Sequence, residues 1–384
     1  MEDKGLMAAL IIVTSFLLVC GLIIMYSASS YSATTEMGDG FYYLRKQGIS
    51  CSIGAVVLLM VVFFGRVLMF KKVPVIIYVL SIISVLAIVT PIGHSANGAK
   101  RWLKIGGMTM QPAEFVKLAV IIIMAYMLGS LVKKELDGIG YALMMAPAFV
   151  GALLIVGITQ DLGSAVIILI MAIILAIVSR QKWKYIVITF AVIIVVGVLA
   201  ILLLGNRMGR ILAWLNPSAY SSTTAYQITQ AKYAIGSGGL FGKGLGKSIM
   251  KIGRLPEAET DMIFSIVCEE MGIIGGMLLM VLFVTLIIIM IYICKSTRDK
   301  VNRFLVAGVA AHIGTQTFIN LAVVTGLFPN TGVTLPFISY GGTSLIFLLA
   351  EIGIVLYVCR ANIKADVKII SVRYSVPHRR LERV

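Results

Sequence analysis

The sequence predicts an all-α, polytopic integral membrane protein with about ten transmembrane helices and one long extracytoplasmic loop. Of its 384 residues, 59% are hydrophobic and only 13% are charged, and the mean hydropathy is +1.00. Soluble domains have a much smaller apolar fraction. The apolar residues also fall into repeated runs of about 20, the length that a helix needs to cross the hydrocarbon core of a bilayer.

Ten apolar runs predict the spans, at residues 6–26, 48–65, 74–91, 112–131, 140–158, 162–179, 185–204, 265–294, 304–325 and 340–359. An even number puts both termini on one side, and the positive-inside rule makes that side the cytoplasm. The basic loop residues on that side are Arg66, Lys71, Lys72, Lys133, Lys134, Arg180, Lys182, Lys184, Lys295, Arg298, Lys300 and Arg303. The chain thus divides into a transmembrane domain (1–360, with the loop at about 205–264) and a basic cytoplasmic tail (361–384).

The net charge of +16 favours anionic lipid or an anionic substrate as a partner. The sequence contains no nucleic-acid-binding motif, and nucleic acid is not an expected partner. The five cysteines have neither metal-ligand nor disulfide spacing. The N-terminus lacks a small-residue cleavage site, which predicts a retained first span and not a removed signal peptide.

Two predicted outer segments carry positive charge against the rule: residues 92–111, with Lys100, Arg101 and Lys104, and the 205–264 loop. Long loops are translocated despite their charge, so length alone explains them. The alternative is that outer-face cations bind a substrate with phosphate or carboxylate groups.

Several ionisable residues lie within the predicted spans. Glu114 and Lys117 are three residues apart, share a helix face and can pair, either for function or as a structural ion pair between spans. Asp161 is expected to cap the sixth span. His312 and Glu351 are expected to be packing residues.

The eighth apolar run, Met262–Cys294, is 33 residues long. As one helix it would measure about 50 Å against a core of about 30 Å. It must tilt steeply or begin outside the core, and Glu269 and Glu270, which prefer the headgroup region, favour the second arrangement. Asp261 would then stand above the membrane or line an outward cavity.

Thr260 and Asp261 also suit a helix start, with Thr260 as N-cap and a lowered pKa for the acid. Catalysis by Asp261 would require burial, or the charges of Glu257 and Glu259, to raise that pKa. The glycine run at 236–247 could present backbone N–H groups with Lys243 and Lys247 to a pyrophosphate, although it does not match the Walker pattern and could be a flexible turn.

Taken together, these segments resemble the SEDS family (shape, elongation, division and sporulation), which includes FtsW, RodA and SpoVE. The resemblance runs from the first span to Arg360 and is closer to the FtsW/SpoVE branch than to RodA. The motifs that carry it are Asn97-Gly98-Ala99-Lys100-Arg101-Trp102, Gln111-Pro112 with Glu114 and Lys117, Ala234-Ile235-Gly236-Ser237-Gly238-Gly239, Leu255-Pro256-Glu257 with Thr260-Asp261 and Ile263-Phe264, Pro329 with Thr331-Gly332, and Pro336-Phe337-Ile338-Ser339-Tyr340-Gly341-Gly342.

The resemblance implies an inverting peptidoglycan glycosyltransferase that polymerises lipid II at the outer face of the cytoplasmic membrane, in division, elongation or sporulation. It places the catalytic carboxylate on Asp261. The implied partners are a class B penicillin-binding protein and other divisome or elongasome membrane proteins. No cofactor is certain, although a divalent cation (Mg²⁺ or Mn²⁺) could assist near the carboxylates, and no residue is assigned as a metal ligand. The expected substrate-binding residues are Glu114, Lys117, Lys100, Arg101, Trp102, Gln111, Ser237, Lys243, Glu257 and Ser339.

Two other functions stay open. A flippase for lipid-linked precursors would also have many spans with intramembrane charge, but would need polar residues along its whole path. A non-catalytic scaffold for a transpeptidase is the third. The sequence departs from the family pattern at Thr159-Gln160-Asp161, where Pro usually precedes the acid, and at Met262, Ala113 and Asn330, which replace the usual Phe, Ser and Val.

Overall fold

The structure is a computed structural model that describes residues 2–96, 99–105, 108–131, 135–203, 205–220 and 224–375. Most of the described chain is helical. The helices are α1 (Glu2–Met37), α2 (Tyr42–Phe64), α3 (Val73–Leu86), α4 (Pro112–Tyr126), α5 (Gly138–Leu154), α6 (Leu162–Val178), α7 (Trp183–Leu203), α8 (Gly205–Leu215), α9 (Thr224–Ser237), α10 (Ile263–Ser296), α11 (Lys300–Val324) and α12 (Gly342–Ser375). The strands are β1 (Gly93–Ala96), β2 (Ala99–Ile105) and β3 (Met108–Met110).

The predicted spans are confirmed as helices. Eight helices are long and apolar enough to cross a membrane, and the shorter apolar helices Val73–Val89 and Leu162–Val178 occupy the other two predicted positions. α2, α3 and α7 expose apolar faces, whereas α4 and α11 are almost fully enclosed by other helices. The protein is therefore a multi-pass membrane protein whose central helices are shielded from lipid. α12 continues past Arg360 to Ser375, so the described part of the predicted tail is helical.

The predicted outer segment 92–111 contains a small antiparallel sheet of order β1-β2-β3, an addition to the all-α prediction. His94 pairs with Trp102, and Leu103 pairs with Met110. Leu103 is buried while Lys104 is exposed, the alternation expected of a strand with one face packed on the bundle. The motif residues Asn97 and Gly98 lie outside the described residues.

α10 is broken at Gly272, whose backbone (φ 71°, ψ −176°) is not helical. The glycine run packs against this break. Lys243 N–H donates to the Glu269 carbonyl (3.0 Å), and Ile273 N–H donates to the Gly239 carbonyl (2.9 Å). The run is therefore an ordered part of the fold, and the break explains how a 34-residue helix is accommodated.

The expectation that Glu269 and Glu270 face the headgroups is wrong. Both carboxylates are buried within the protein, where Glu269 pairs with Lys243 (2.7 Å) and Glu270 with Lys251 (2.8 Å). Ser27 of α1 also donates to Glu270 (2.7 Å). Buried charges are tolerated when they are paired and hydrogen-bonded, so this cluster ties the loop to α1 and α10.

Candidate active site

A cavity of about 640 Å³ opens at the end of the bundle where α2, α4, α6, α10 and α12 begin. This end lies opposite the lysine- and arginine-rich loops, because each of those loops joins the other ends of the helices. Seven separate segments of the chain contribute to its wall. The lining residues are Lys46, Ile49, Ser50, Arg101, Trp102, Thr109, Gln111, Asp161, Arg210, Gln227, Glu257, Thr260, Asp261, Asn330, Gly332, Thr334, Tyr340, Gly341, Gly342, Thr343 and Ser344.

Asp261 lies in the turn before α10 and is only 6% exposed. Its carbonyl oxygen accepts from the Asn320 side chain of α11 (2.8 Å), which also donates to the Val333 carbonyl (2.7 Å). The Ser339 hydroxyl donates to the Thr260 carbonyl, and Tyr340 N–H donates to the Glu259 carbonyl (2.8 Å). The turn is thus fixed from two sides, which gives the carboxylate a defined position at the cavity wall.

Burial, and after it the negative charge of Glu257, raise the pKa of Asp261, whereas hydrogen bonds and the charge of Arg210 lower it; together they bring it from 3.8 to about 7. The prediction of a Thr260 cap with a lowered acid pKa is therefore wrong. α10 begins at Ile263 with Met262 as its N-cap, so Asp261 precedes the first helical turn. A buried carboxyl that titrates near neutral pH is suited to general base catalysis.

Three cationic side chains line the same cavity. Arg101 of β2 donates to the carbonyls of Thr159 (3.2 Å) and Gln160 (3.3 Å). Arg210 of α8 donates to the Asn330 carbonyl (3.1 Å). Burial lowers the pKa of Arg210, as does the charge of Arg101, so these two cations act on one another across the cavity. Lys46 of α2 is the third.

Asp161 caps α6, as predicted, by accepting from Ser164 N–H (3.1 Å). It also accepts from the Gln111 side chain (3.2 Å), and both residues line the cavity with Trp102. The turn that departs from the family pattern is therefore part of the cavity wall. The structure thus brings Asp261 together with four expected substrate-binding residues: Arg101, Trp102, Gln111 and Glu257.

Glu114 and Lys117 lie deeper in the bundle and do not line this cavity. Both are buried, 2.7 Å apart, and Lys117 also donates to Gln316 of α11 (2.7 Å). Gln316 contacts His312 (2.9 Å), which pairs with Glu351 of α12 (2.8 Å). The Glu114–Lys117 pair lies within α4, and the hydrogen bond from Lys117 to Gln316 and the pair of His312 with Glu351 join α4, α11 and α12. This buried network approaches the cavity where Gln316 donates to the Thr334 carbonyl (3.1 Å) and where Glu114 N–H donates to the Gln111 carbonyl (3.1 Å).

The remaining expected substrate-binding residues also lie outside the cavity lining. Lys243 pairs with Glu269 of α10 and donates to Ser237 (2.9 Å), so Lys243 and Ser237 fix the glycine run against α10. Lys100 is exposed on β2. Ser339 is buried beneath the turn and accepts from the Leu335 N–H group (2.8 Å).

Several lining residues were not predicted as site residues, among them Lys46, Arg210, Gln227 and Asn330. Lys46 follows Arg45 and Arg210 follows Arg207 by three residues, and no motif relates the two stretches, so only the fold brings Lys46 and Arg210 to one cavity. Asn330 did stand out as a departure from the family pattern, which was the available signal. Among the described residues, no group of three or more His, Cys, Asp or Glu side chains is arranged to hold a metal ion.

Comparison with known proteins agrees with this architecture. The FtsW/RodA/SpoVE family model, described as cell cycle protein, matches residues 7–364. The chain is 36% identical over 353 residues to the probable peptidoglycan glycosyltransferase FtsW of Geobacter metallireducens, covering 91% of this chain and 93% of that relative. It is 35% identical to stage V sporulation protein E of Bacillus subtilis, covering 91% and 96%.

Two solved structures share the fold. One, described as "Structural coordination of polymerization and crosslinking by a peptidoglycan synthase complex", superposes with a TM-score of 0.74 at 23% identity, covering 92% of this chain and 97% of that one. The other, the rod shape determining protein RodA of Thermus thermophilus, gives 0.66 at 26% identity, covering 92% and 96%. The sequence match over nearly the whole chain and the shared fold lead to one conclusion: this chain belongs to the FtsW/RodA/SpoVE family of cell cycle proteins, the SEDS family.

Proposed function

We propose that the protein is a peptidoglycan glycosyltransferase that polymerises lipid II, a disaccharide-peptide carried on undecaprenyl pyrophosphate. The observation that carries this proposal is a buried carboxyl, Asp261, with a pKa of about 7 in a cavity that also holds three cations. The names of the relatives and the fold of the peptidoglycan synthase complex support the same function.

In the proposed reaction Asp261 is the general base. It takes the proton of the 4-hydroxyl group on the acceptor's terminal sugar while that oxygen attacks C1 of the donor sugar. The bond between C1 and the pyrophosphate oxygen breaks, and undecaprenyl pyrophosphate leaves with the electron pair. Attack opposite the leaving group inverts C1. The proton on Asp261 then passes to water, which restores the base.

The leaving pyrophosphate develops negative charge that must be stabilised. In our proposal the compensating positive charge comes from Arg101, Arg210 and Lys46, because they line the cavity with Asp261. Lys100, Lys117 and Lys243 were also candidates, but Lys100 lies outside the lining and the other two are engaged in ion pairs. Arginine suits this task because its planar group can bind phosphate oxygens in a bidentate manner.

A divalent cation would have to share its coordination with the substrate. Asp261, Glu257 and Asp161 line the cavity, but they do not form a three-ligand cluster. Mg²⁺ or Mn²⁺ bound here would take further oxygens from the diphosphate and from water, and would add positive charge beside the leaving group. The steps above use only the side chains of this chain.

We assign the cavity to the outer face of the cytoplasmic membrane and both termini to the cytoplasm. The basic loops at the opposite end of the bundle support this orientation. A lipid-linked substrate would then reach the cavity with its tail among the spans. A class B penicillin-binding protein is the proposed partner, since the fold also occurs in a complex that couples polymerisation and crosslinking.

The flippase alternative is less well supported. It requires polar groups that line a path through the bundle. Glu114, Lys117 and His312, the polar residues expected on such a path, form hydrogen bonds and ion pairs with each other and with their neighbours, and they line no part of the cavity.

The test is polymerisation of labelled lipid II by purified protein, with and without a class B penicillin-binding protein. Asp261→Asn should lower glycan synthesis by at least about 100-fold, because it removes the base and keeps the shape. The matched control is Asp137→Asn, which removes a carboxylate charge at the other end of the bundle, keeps a capping oxygen for α5 and should leave synthesis intact. Glycan synthesis by a well-folded Asp261→Asn protein at the parental rate would refute the proposal.

A further inference from the structure

Three side chains from separate segments form a hydrogen-bonded chain in the cavity wall. The Asn330 amide, in the segment after α11, donates to Gln227 Oε1 of α9 (2.6 Å). Gln227 Nε2 in turn donates to Asp261 Oδ1 in a longer bond of 3.4 Å. It also donates to the Pro256 carbonyl (3.2 Å). The base is thus linked to two neutral residues outside its own turn.

The backbone donor at one end fixes the direction of this series of hydrogen bonds. Gly332 N–H donates to Asn330 Oδ1 (2.9 Å), and a backbone N–H group can only donate. Asn330 must therefore present its oxygen to Gly332 and its NH₂ group to Gln227. Gln227 must then present its oxygen to Asn330 and its NH₂ group to Asp261. A backbone donor at one end thereby determines which group faces the carboxylate at the other.

The two oxygens of Asp261 consequently differ. Oδ1 accepts from Gln227 and from the Thr260 hydroxyl (3.3 Å), whereas among the described residues no side chain donates to Oδ2. If Gln227 rotated by half a turn, its carbonyl oxygen would face Oδ1 and repel it. Asn330 is only 7% exposed, so water does not readily replace its contact with Gln227.

We propose, on the basis of the proposed function, that Gln227 and Asn330 are positioning residues for the base. Asn330 holds the Gln227 amide so that its NH₂ group binds Oδ1 of Asp261, which leaves Oδ2 to take the proton of the acceptor hydroxyl. Because the resemblance leads one to expect Val at position 330, this link is a feature of this chain and not of the family motif.

The test combines Gln227→Leu, Asn330→Val and the double variant in the lipid II polymerisation assay across a range of pH. Loss of the donor to Asp261 should raise the pH of half-maximal kcat by about 0.5–1 unit, because the carboxylate loses a stabilising hydrogen bond. We expect kcat at pH 7 to fall about 3- to 10-fold, with less than about a 2-fold change in KM. Asn330→Val keeps the backbone contact to Arg210, which uses the carbonyl group.

The double variant separates positioning from general damage. If Asn330 acts through Gln227, Asn330→Val should change neither kcat nor the pH profile further once Gln227 is Leu. The charged groups that face Asp261 from the packed elements are the same in all variants: Glu257, Arg210, Arg101, Asp161 and Lys46. Gln230→Leu, on the same helix but outside the cavity lining, is the matched control and should behave like the parent.

Additive effects in the double variant, or single variants whose pH profile does not move, would overturn the positioning role. Asn330→Ala, which also removes the donor and adds no branched side chain, replaces Asn330→Val if that protein does not insert. The outcomes are distinct from those for the reaction itself. A fully active Asp261→Asn protein refutes the proposed function, whereas an inactive Asp261→Asn protein with unchanged Gln227 and Asn330 variants refutes the positioning alone.

Discussion

Replacing Glu257 by Gln should lower the pH at which the protein becomes active. In the proposed reaction Asp261 acts as a base only when ionised, so synthesis is expected to rise with pH through its pKa of about 7. Glu257 lines the same cavity, and its charge raises that pKa. Gln keeps the size and hydrogen-bonding capacity of the side chain but removes the charge, so ionised Asp261 becomes easier to form.

The magnitude follows from the contacts of Thr260. Its hydroxyl lies 2.6 Å from Glu257 Oε2 and 3.3 Å from Asp261 Oδ1, so these oxygens are at most 5.9 Å apart, the sum of the two distances. Two unit charges at that separation repel by about 0.7 kcal/mol in water and about 2.8 kcal/mol at an effective dielectric constant of 20. Glu257 is exposed, so solvent screens its charge and the lower part of this range applies. We expect a downward shift of about 0.5–1 pH unit.

The assay is initial-rate polymerisation of labelled lipid II between about pH 5 and 9, at saturating substrate and constant ionic strength. Glu135→Gln is the matched control, because Glu135 is exposed and lies near the α4–α5 connection at the other end of the bundle. Its profile should overlay that of the parent. A Glu257→Gln profile with an unchanged or raised midpoint would refute the assignment of the ascending limb to Asp261.

Three further outcomes are expected from thermal melting in detergent. Asp261→Asn should melt at a higher temperature than the parent at pH 8. Because the pKa of Asp261 is raised in the folded protein, the stability that this carboxyl contributes is complete below pH 3.8 and is lost as pH rises through about 7, at a cost of at most about 4 kcal/mol. A difference in melting temperature that fails to shrink toward pH 4 would contradict this. Lys251→Met should destabilise the fold by about 3–5 kcal/mol, since it leaves the buried Glu270 carboxylate without its 2.8 Å partner, whereas Lys247→Met at an exposed lysine should have little effect. Gly272→Ala should prevent stable folding, because its Cβ would lie 2.2 Å from a backbone carbonyl oxygen of the glycine run and φ is 71°; a normal melting curve would disprove that packing.

The membrane-spanning helices could be predicted from the sequence because hydrocarbon imposes a local rule. Each span must satisfy its own backbone, so its length and composition are visible in a single stretch of chain. The helix cap at Asp161 follows the same local logic, since its partner Ser164 is three residues away. Asp261 could be singled out only through its surrounding motif, because local spacing alone suggested a helix start and the opposite pKa shift.

The tertiary structure decided which residues share the cavity. Lys46, Arg210 and Asn330 come from α2, α8 and the segment after α11, and no periodicity relates them to Asp261. It also separated Lys243 from the site, because a charge in a glycine-rich loop is equally suited to a phosphate and to the carboxylate of Glu269 until the loop is folded.

The amino-acid sequence by itself determined the membrane architecture and the family, and it predicted which carboxylate acts as the base, because these depend on composition and on contiguous motifs. Only the tertiary structure decided the acidity of that carboxylate and its neighbours. Burial and long-range contacts set both, and they arise when segments more than a hundred residues apart, such as Gln227 and Asn330, are packed against one another.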